Sequence, residues 1–390
     1  MIYYHQMNKF FRVLFFITFN FLILTISSFS EENKIKIGLL APLTGENAHI
    51  GKQIINAVKM ALKDIGSNEI ELYPKDTKSN PKNTLASAIE LEKLGINLVI
   101  GPVFYKNLIY LDEIKSITFL SLTNKTVNLP KNIISAGVNS TSQLNTIKKF
   151  IELNEIKKTI FLAPNLNYDL EIKNGIKDSK IKIFKTHYYD IEPTKLTKQI
   201  EEITNYGVRK QNLIDEITRV EKLDDANKER QIEKLKKRYT LGKLKFDSVI
   251  IADFEESLKS VVTSLIYTDV SPKHNYLITL NQWFDESLIK ETSLQPIYYP
   301  SINKENLENF KKKFYNEFDQ YPNHISLLSY DLVGLIYYLS IKNGLANKEK
   351  FFKSKNSFKG KIGIFDINDN KINHRLNFYQ IDEGSIKKIF

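Results

Sequence analysis

Two hydrophobic patterns alternate along this chain: short continuous apolar runs, and longer stripes recurring every three or four residues. The first pair sets the arrangement. Ile35 to Leu40 is a short apolar run flanked by lysine and closed by Ala41-Pro42. That length with those flanks predicts a strand buried on both faces, as in parallel sheets. After the polar turn Leu43–Asn47, the positions Ile50, Ile54, Ile55, Val58, Ala61, Leu62 and Ile65 put one apolar stripe on a helix. The pattern repeats. Glu69–Pro74, Leu98–Ile100, Ile117–Leu122 and Ile133–Val138 read as strands, with a helix around Leu85–Leu91 ending at Gly95. Gly101-Pro102 stops the third strand.

The alternation restarts after Asn139. Leu144–Leu153 and Leu196–Ile203 read as helices, and Thr159–Ala163 and Ile181–Tyr189 as strands. Phe246–Ala252 and Tyr276–Leu280 are buried-strand runs with the helix Leu258–Tyr267 between them. Gln295–Pro300 is expected to cross back to the first unit. Phe310, Phe314 and Phe318 share a helix face, and Leu327–Leu339 is a strongly apolar helix. Lys361–Ile367 and Leu376–Ile381 read as strands joined by the turn Asn368-Asp369-Asn370. Strands alternating with helices predict an α/β chain of two lobes, each a mostly parallel sheet flanked by helices. A cleft between two such lobes is where a small molecule would bind.

Residues 206–245 break the pattern. They are dense in both charge signs, yet Leu213, Ile217, Val220 and Leu223, then Ile232 and Leu235, keep helical spacing. This predicts an inserted, charged helical hairpin turning near residues 224–227, suited to pairing its own helices or to docking on a partner. The first thirty residues read as a signal peptide. Lys9 and Arg12 precede the apolar core Val13–Ile26, and Ser28-Phe29-Ser30 offers small residues for cleavage after Ser30. The mature chain is therefore expected to be exported, with membrane contact only through that segment. With no cysteine there is no disulfide. The net charge of +11 is spread along the chain and pairs with no nucleic-acid motif, so no nucleic-acid partner is expected.

No catalytic constellation is visible, and no cofactor or metal is expected. There is no nucleophile-elbow serine and no Gly-rich phosphate loop, and His187-Tyr188-Tyr189-Asp190 lacks metal-ligand spacing. His49, His274, His324 and His374 are isolated and read as structural or surface residues. The candidate ligand groups lie at strand ends, where open α/β sheets bind their ligands. In the first lobe these are Thr44, Asn47, Phe104, Tyr105, Thr123 and Asn124. In the second they are Asn165, Asn167, Tyr168, Asp253, Asn281, Gln282 and Trp283.

The wording Ile37-Gly38-Leu39-Leu40-Ala41-Pro42-Leu43-Thr44-Gly45, then Lys75-Asp76-Thr77, then Leu98-Val99-Ile100-Gly101-Pro102, resembles the type I periplasmic binding proteins of the leucine/isoleucine/valine class. Within that class the chain is most similar to the penicillin-binding-protein activators, which commonly carry a charged insert. The resemblance implies a first lobe of residues 31–139 and 300–350, and a second of 140–299 and 351–390. It implies a small amino-acid-like or peptide-like solute held in the cleft by hinge closure for an ABC importer permease. The alternative is an activator-like regulator of peptidoglycan synthesis that contacts a cell-wall synthase. Amino-acid-binding members place small hydroxyl residues after the Ile100-Gly101 position, where this chain has Pro102-Val103-Phe104-Tyr105-Lys106. They also place an acidic residue where this chain has Asn281-Gln282-Trp283, which leaves Asp253 as the candidate for a ligand ammonium group.

Overall fold

The computed structural model describes residues 34–165, 169–344 and 351–390. The signal segment and its cleavage position lie outside them, as do Asn167 and Tyr168. The first sheet contains β1 (Ile35–Ala41), β2 (Ile70–Asp76), β3 (Leu98–Ile100), β4 (Thr118–Ser121) and β5 (Ile133–Ser135). Its order is β2-β1-β3-β4-β5, parallel throughout. Helices α1 (Ala48–Ile65) and α2 (Pro81–Lys93) connect its strands. Covering helices explain why all of β1 except Lys36 is buried. Gly51 lets α1 lie against the preceding turn, because a Cβ there would sit 1.9 Å from the Pro42 carbonyl oxygen.

After α3 (Ser140–Leu153) the second sheet begins with β6 (Thr159–Pro164), α4 (Asp169–Ser179), β7 (Lys185–Tyr189) and α5 (Pro193–Thr204). Next come the arm helices α6 (Tyr206–Glu221) and α7 (Lys228–Lys236), then β8 (Ser248–Ile251), α8 (Glu255–Tyr267) and β9 (Tyr276–Thr279). The short α9 (Glu286–Lys290) and strand β10 (Ile297–Ser301) follow. The sheet order is β15-β14-β10-β9-β8-β6-β7, where β14 (Asn377–Asp382) and β15 (Ser385–Lys388) are antiparallel additions from the C-terminus.

Helices α10 (Lys304–Phe318) and α11 (His324–Asn343) return to pack on α1. Their N-termini are capped by Asn303 and Asn323, which accept from Asn306 N–H and Ser326 N–H at 2.8 Å each. Helix α11 is apolar and long enough to cross a membrane, but most of it is buried as a core helix.

Three expectations need correction. Gln295–Pro300 does not leave the second lobe: β10 pairs with β9 and β14 inside that sheet, and the chain crosses after Ser301. The turn Asn368-Asp369-Asn370 joins β12 (Ile364–Asn368) not to Leu376–Ile381 but to a strand the sequence reading passed over, β13 (Lys371–Arg375). Positive φ at Asp369 and Asn370 matches the tight-hairpin geometry that these residue types favour. Residues 351–375 therefore do not extend the second sheet. With β11 (Asn356–Lys359) they make a separate three-stranded antiparallel sheet. It is fastened to α11 by the buried Asp331 carboxylate, which accepts from Lys361 N–H (2.8 Å) and Ile362 N–H (2.7 Å).

The arm forms the expected hairpin and is anchored at its base. Buried Arg209 donates to the Thr268 carbonyl (3.2 Å), Thr240 Oγ1 (2.6 Å) and Asp269 Oδ2 (3.4 Å).

The crossover between lobes is a polar knot. Asn139 accepts from Ser142 N–H (2.8 Å) and donates to the Ile372 carbonyl (2.9 Å). His374 N–H donates to Ser142 Oγ (2.9 Å), and its ring Nε2 lies 2.8 Å from the Ala136 carbonyl oxygen, so Nε2 carries the proton. Burial pushes the His374 imidazole down to about 4, outweighing the hydrogen bonds to Ala136 and Gly137. A depressed histidine is neutral in the folded state while the unfolded chain takes up a proton near its ordinary value of 6.5. Its stabilisation is thus complete above about 6.5 and is lost as pH falls through about 4, a change of roughly 3 kcal/mol. Replacing it with glutamine (His374→Gln) is expected to flatten that limb of the stability–pH curve, measured by chemical denaturation from pH 7 to pH 4.

Candidate functional site

The two sheets present the carboxyl ends of their strands where the sequence places its candidate ligand groups. In the first lobe the organising residue is Asp76, at the end of β2. Its carboxylate accepts from Leu43 N–H (2.8 Å), Thr44 Oγ1 (2.5 Å) and Lys78 N–H (2.8 Å). Burial raises the Asp76 carboxyl, but the hydrogen bonds from Thr44, Lys78 and Leu43 outweigh it and hold the group below its ordinary value. The Thr44 hydroxyl is therefore spent within its own lobe. Asn47 likewise donates to Ser79 Oγ (3.1 Å).

The loops after β3 and β4 are tied to each other. Phe104 is half-buried, with the Lys106 ammonium 6.0 Å from its ring centroid. The Tyr105 hydroxyl lies 3.5 Å from the Val127 carbonyl, and the Lys125 ammonium sits 4.6 Å from the Tyr105 ring centroid. Thr123 is buried, and its hydroxyl oxygen accepts from Lys125 N–H (3.2 Å). Asn124 is exposed.

In the second lobe, Asp253 follows β8 and is buried. Its Oδ2 accepts from the Tyr189 and Ser257 hydroxyls at 2.6 Å each, and its Oδ1 from Phe254 N–H at 2.9 Å. Both oxygens are committed. Gln282 is buried and donates to the Asp253 carbonyl (3.1 Å) and Thr279 Oγ1 (3.0 Å). Asn281 accepts from Ser301 Oγ (2.8 Å) and Trp283 N–H (3.0 Å), while its buried Nδ2 has no partner. The Asn165 side chain is exposed, and its backbone N–H donates to the Tyr189 carbonyl (2.9 Å).

Trp283 connects the lobes. It and Phe284 both have positive φ (50° and 62°), a conformation that aromatic residues rarely adopt. The bend lets Phe284 enter the core and stacks Trp283 on His324 at the start of α11, centroids 4.5 Å apart and planes at 23°. Burial, with the Lys311 charge adding to it, holds the His324 imidazole below its ordinary range, so the stack is between neutral rings.

A second bridge was not foreseen. Glu171 in α4 accepts from Thr126 N–H (2.8 Å), Thr126 Oγ1 (2.9 Å) and Val127 N–H (2.8 Å), across from the first lobe. A lone glutamate in a charged helical turn carries no sequence signal of that role. Among the described residues no group of three or more His, Cys, Asp or Glu is placed to hold a metal ion. Replacing Asp253 with alanine is expected to destabilise the fold by about 1–3 kcal/mol, because a buried phenol–carboxylate bond is lost. Urea denaturation of Asp253→Ala measures this, and Asp253→Asn, which can still accept, is expected to lose less.

The sequence profile of the family described as "Periplasmic binding protein" matches residues 34–209. Comparison with curated proteins finds no significant match. Among solved structures, the C-domain of LpoA from Haemophilus influenzae, titled a regulator of PBP1A, superposes with TM-score 0.61 at 14% identity. That match covers 91% of this chain and 100% of the domain, whereas this chain spans 59% of full-length LpoA. LivK from Thermotoga maritima, a leucine binding protein, gives TM-score 0.55 at 14% identity, covering 91% of this chain and 98% of LivK. An ABC transporter substrate-binding protein from Desulfitobacterium hafniense in complex with Leu gives 0.60 at 14% identity, covering 91% and 100%. At such identities the likeness speaks for the fold, which solute receptors and a regulator share. The chain thus has the two-lobed fold of the type I periplasmic binding proteins, and over residues 34–209 it carries the sequence pattern of that family.

Proposed function

We propose that this protein is a non-catalytic, periplasmic two-lobed module that acts by contacting a cell-wall synthase, as a regulator of peptidoglycan synthesis. The observation that carries this reading is the commitment of Asp253. An amino-acid receptor needs a carboxylate free to meet the ligand ammonium, and here both Asp253 oxygens are taken by Tyr189, Ser257 and Phe254 N–H. The hydroxyl of Thr44 is spent in the same way, on Asp76. The regulator LpoA, whose C-domain shares the fold, supports the reading by analogy.

The surface offered to a partner is the arm. Its outer helix α7 has no buried residue, and residues 228–245 hold eight lysines and arginines against only Glu229 and Glu233. Such a patch steers association with an acidic partner face and makes it salt-sensitive. A solute-capture reading for an ABC importer is favoured by one observation: the Asn124 and Asn165 side chains, one from each lobe, are exposed at strand ends. Free amides of that kind could hold the polar groups of a neutral solute.

Binding of the protein to an immobilised cell-wall synthase ectodomain tests the proposal. Saturable binding is expected, and reversing Lys234, Lys236 and Lys237 to glutamate should weaken it by about tenfold or more at low salt. Absence of saturable binding, or equal binding by the reversed variant, would count against the arm-mediated regulator.

A further inference from the structure

Glu171 is held as a ligand would be. Two consecutive backbone N–H groups and one hydroxyl, all from Thr126-Val127 on the first lobe, converge on a carboxylate supplied by the second. Successive N–H groups aimed at one point make an anion-binding concavity. Both of its sides are built. On the first lobe, Thr123 and Tyr105 shape the loop: Thr123 Oγ1 accepts from Lys125 N–H, Lys125 stacks over Tyr105, and the Tyr105 hydroxyl reaches the Val127 carbonyl. These two candidate ligand residues thus act on the loop that holds the carboxylate.

On the second lobe, Ser140 Oγ donates to the Glu171 carbonyl (3.0 Å) and fixes the first turns of α4 against the crossover. Gly175, one helical turn on, permits that approach, since a Cβ there would lie 2.6 Å from Ser140 Oγ. Both Glu171 oxygens are engaged, and the contact joins the two lobes directly.

We propose that Thr126-Val127 is a carboxylate-binding nest, that Glu171 is its resident occupant, and that an incoming carboxylate competes with Glu171 and so frees the lobes to move apart. The module is self-liganded: it sits closed without solute, and an acid in the cleft opens it. This reverses the hinge logic of a receptor that closes on its ligand, and it stands whichever partner the module serves. A small free acid and an acidic side chain on a partner protein supply the same chemistry.

Because the chain has no cysteine, spin labels at Lys82→Cys and Glu152→Cys, both exposed and on opposite lobes, report lobe spacing by pulsed electron resonance. The parent protein is expected to give one narrow distance distribution, and Glu171→Ala a broadened one. Acetate, compared with chloride at equal ionic strength, should move the parent distribution toward that of the variant. Acetate should also raise the melting midpoint of Glu171→Ala by a few degrees by filling the vacated nest. Glu171→Gln keeps the side-chain volume and guards against misfolding of the alanine variant; its oxygen still accepts the two N–H groups but its charge is gone, so it should broaden the distribution less than alanine does. An acidic peptide in place of acetate separates the two sources, since a nest open only to small acids responds to acetate alone. Unchanged distributions in both Glu171 variants, or acetate and chloride acting alike, would overturn the proposal.

Discussion

Polar groups gathered where parallel strands end must be paired, and that constraint organises this molecule. The sheet interiors are covered by helices and need only apolar side chains. At the strand ends, last carbonyls, first helical amides and turn side chains meet, and several of them are buried there. An unpaired group there costs about 1–3 kcal/mol. In a solute receptor a bound ligand can supply some of the missing partners. In this chain Asp76, Asp253, Glu171 and Gln282 supply them from within.

Internal pairing has consequences for motion. A hinge needs an open state not much costlier than the closed one, and each bridge between lobes biases the balance. The Trp283–His324 stack and the Glu171 contact both favour the arrangement of lobes in which they form. The knot of Asn139, Ser142 and His374 makes the crossover itself stiff, because β13 of the small third sheet lies against it. That sheet is in turn locked to the core helix α11 through Asp331. The lobes are therefore coupled by side chains as well as by the crossing chain.

Much of the architecture was legible because strands covered on both faces appear as continuous apolar runs, such as Leu98–Ile100 and Val249–Ile251. What failed was assignment between sheets. The run Ile297–Ser301 says strand, but nothing local says which sheet receives it. Strand β13 was missed because its signal is an alternation, Ile372 and His374 inward with Lys371 and Arg375 outward, beside the more apolar Leu376–Ile381. For the site, positions were legible and partners were not. Asp253 meets Tyr189 from 64 positions away, and Glu171 meets Thr126 from 45. A side chain spent on such a partner looks the same in sequence as one left free for a ligand.

The most direct test of the central claim, that the cleft's Asp253 carboxylate and Thr44 hydroxyl are already satisfied from within, is thermal melting against a panel of amino acids. A ligand binding only the folded state must raise the midpoint, by about 2.7 kcal/mol of stabilisation at a hundredfold excess over its dissociation constant. Internal commitment of Asp253 and Thr44 predicts that no amino acid at millimolar concentration shifts the midpoint beyond what acetate gives, since only the carboxylate nest is open to them. A clear, saturable shift with one of them beyond that of acetate would contradict the account, because it would mean that the cleft keeps a carboxylate and a hydroxyl in reserve for a ligand.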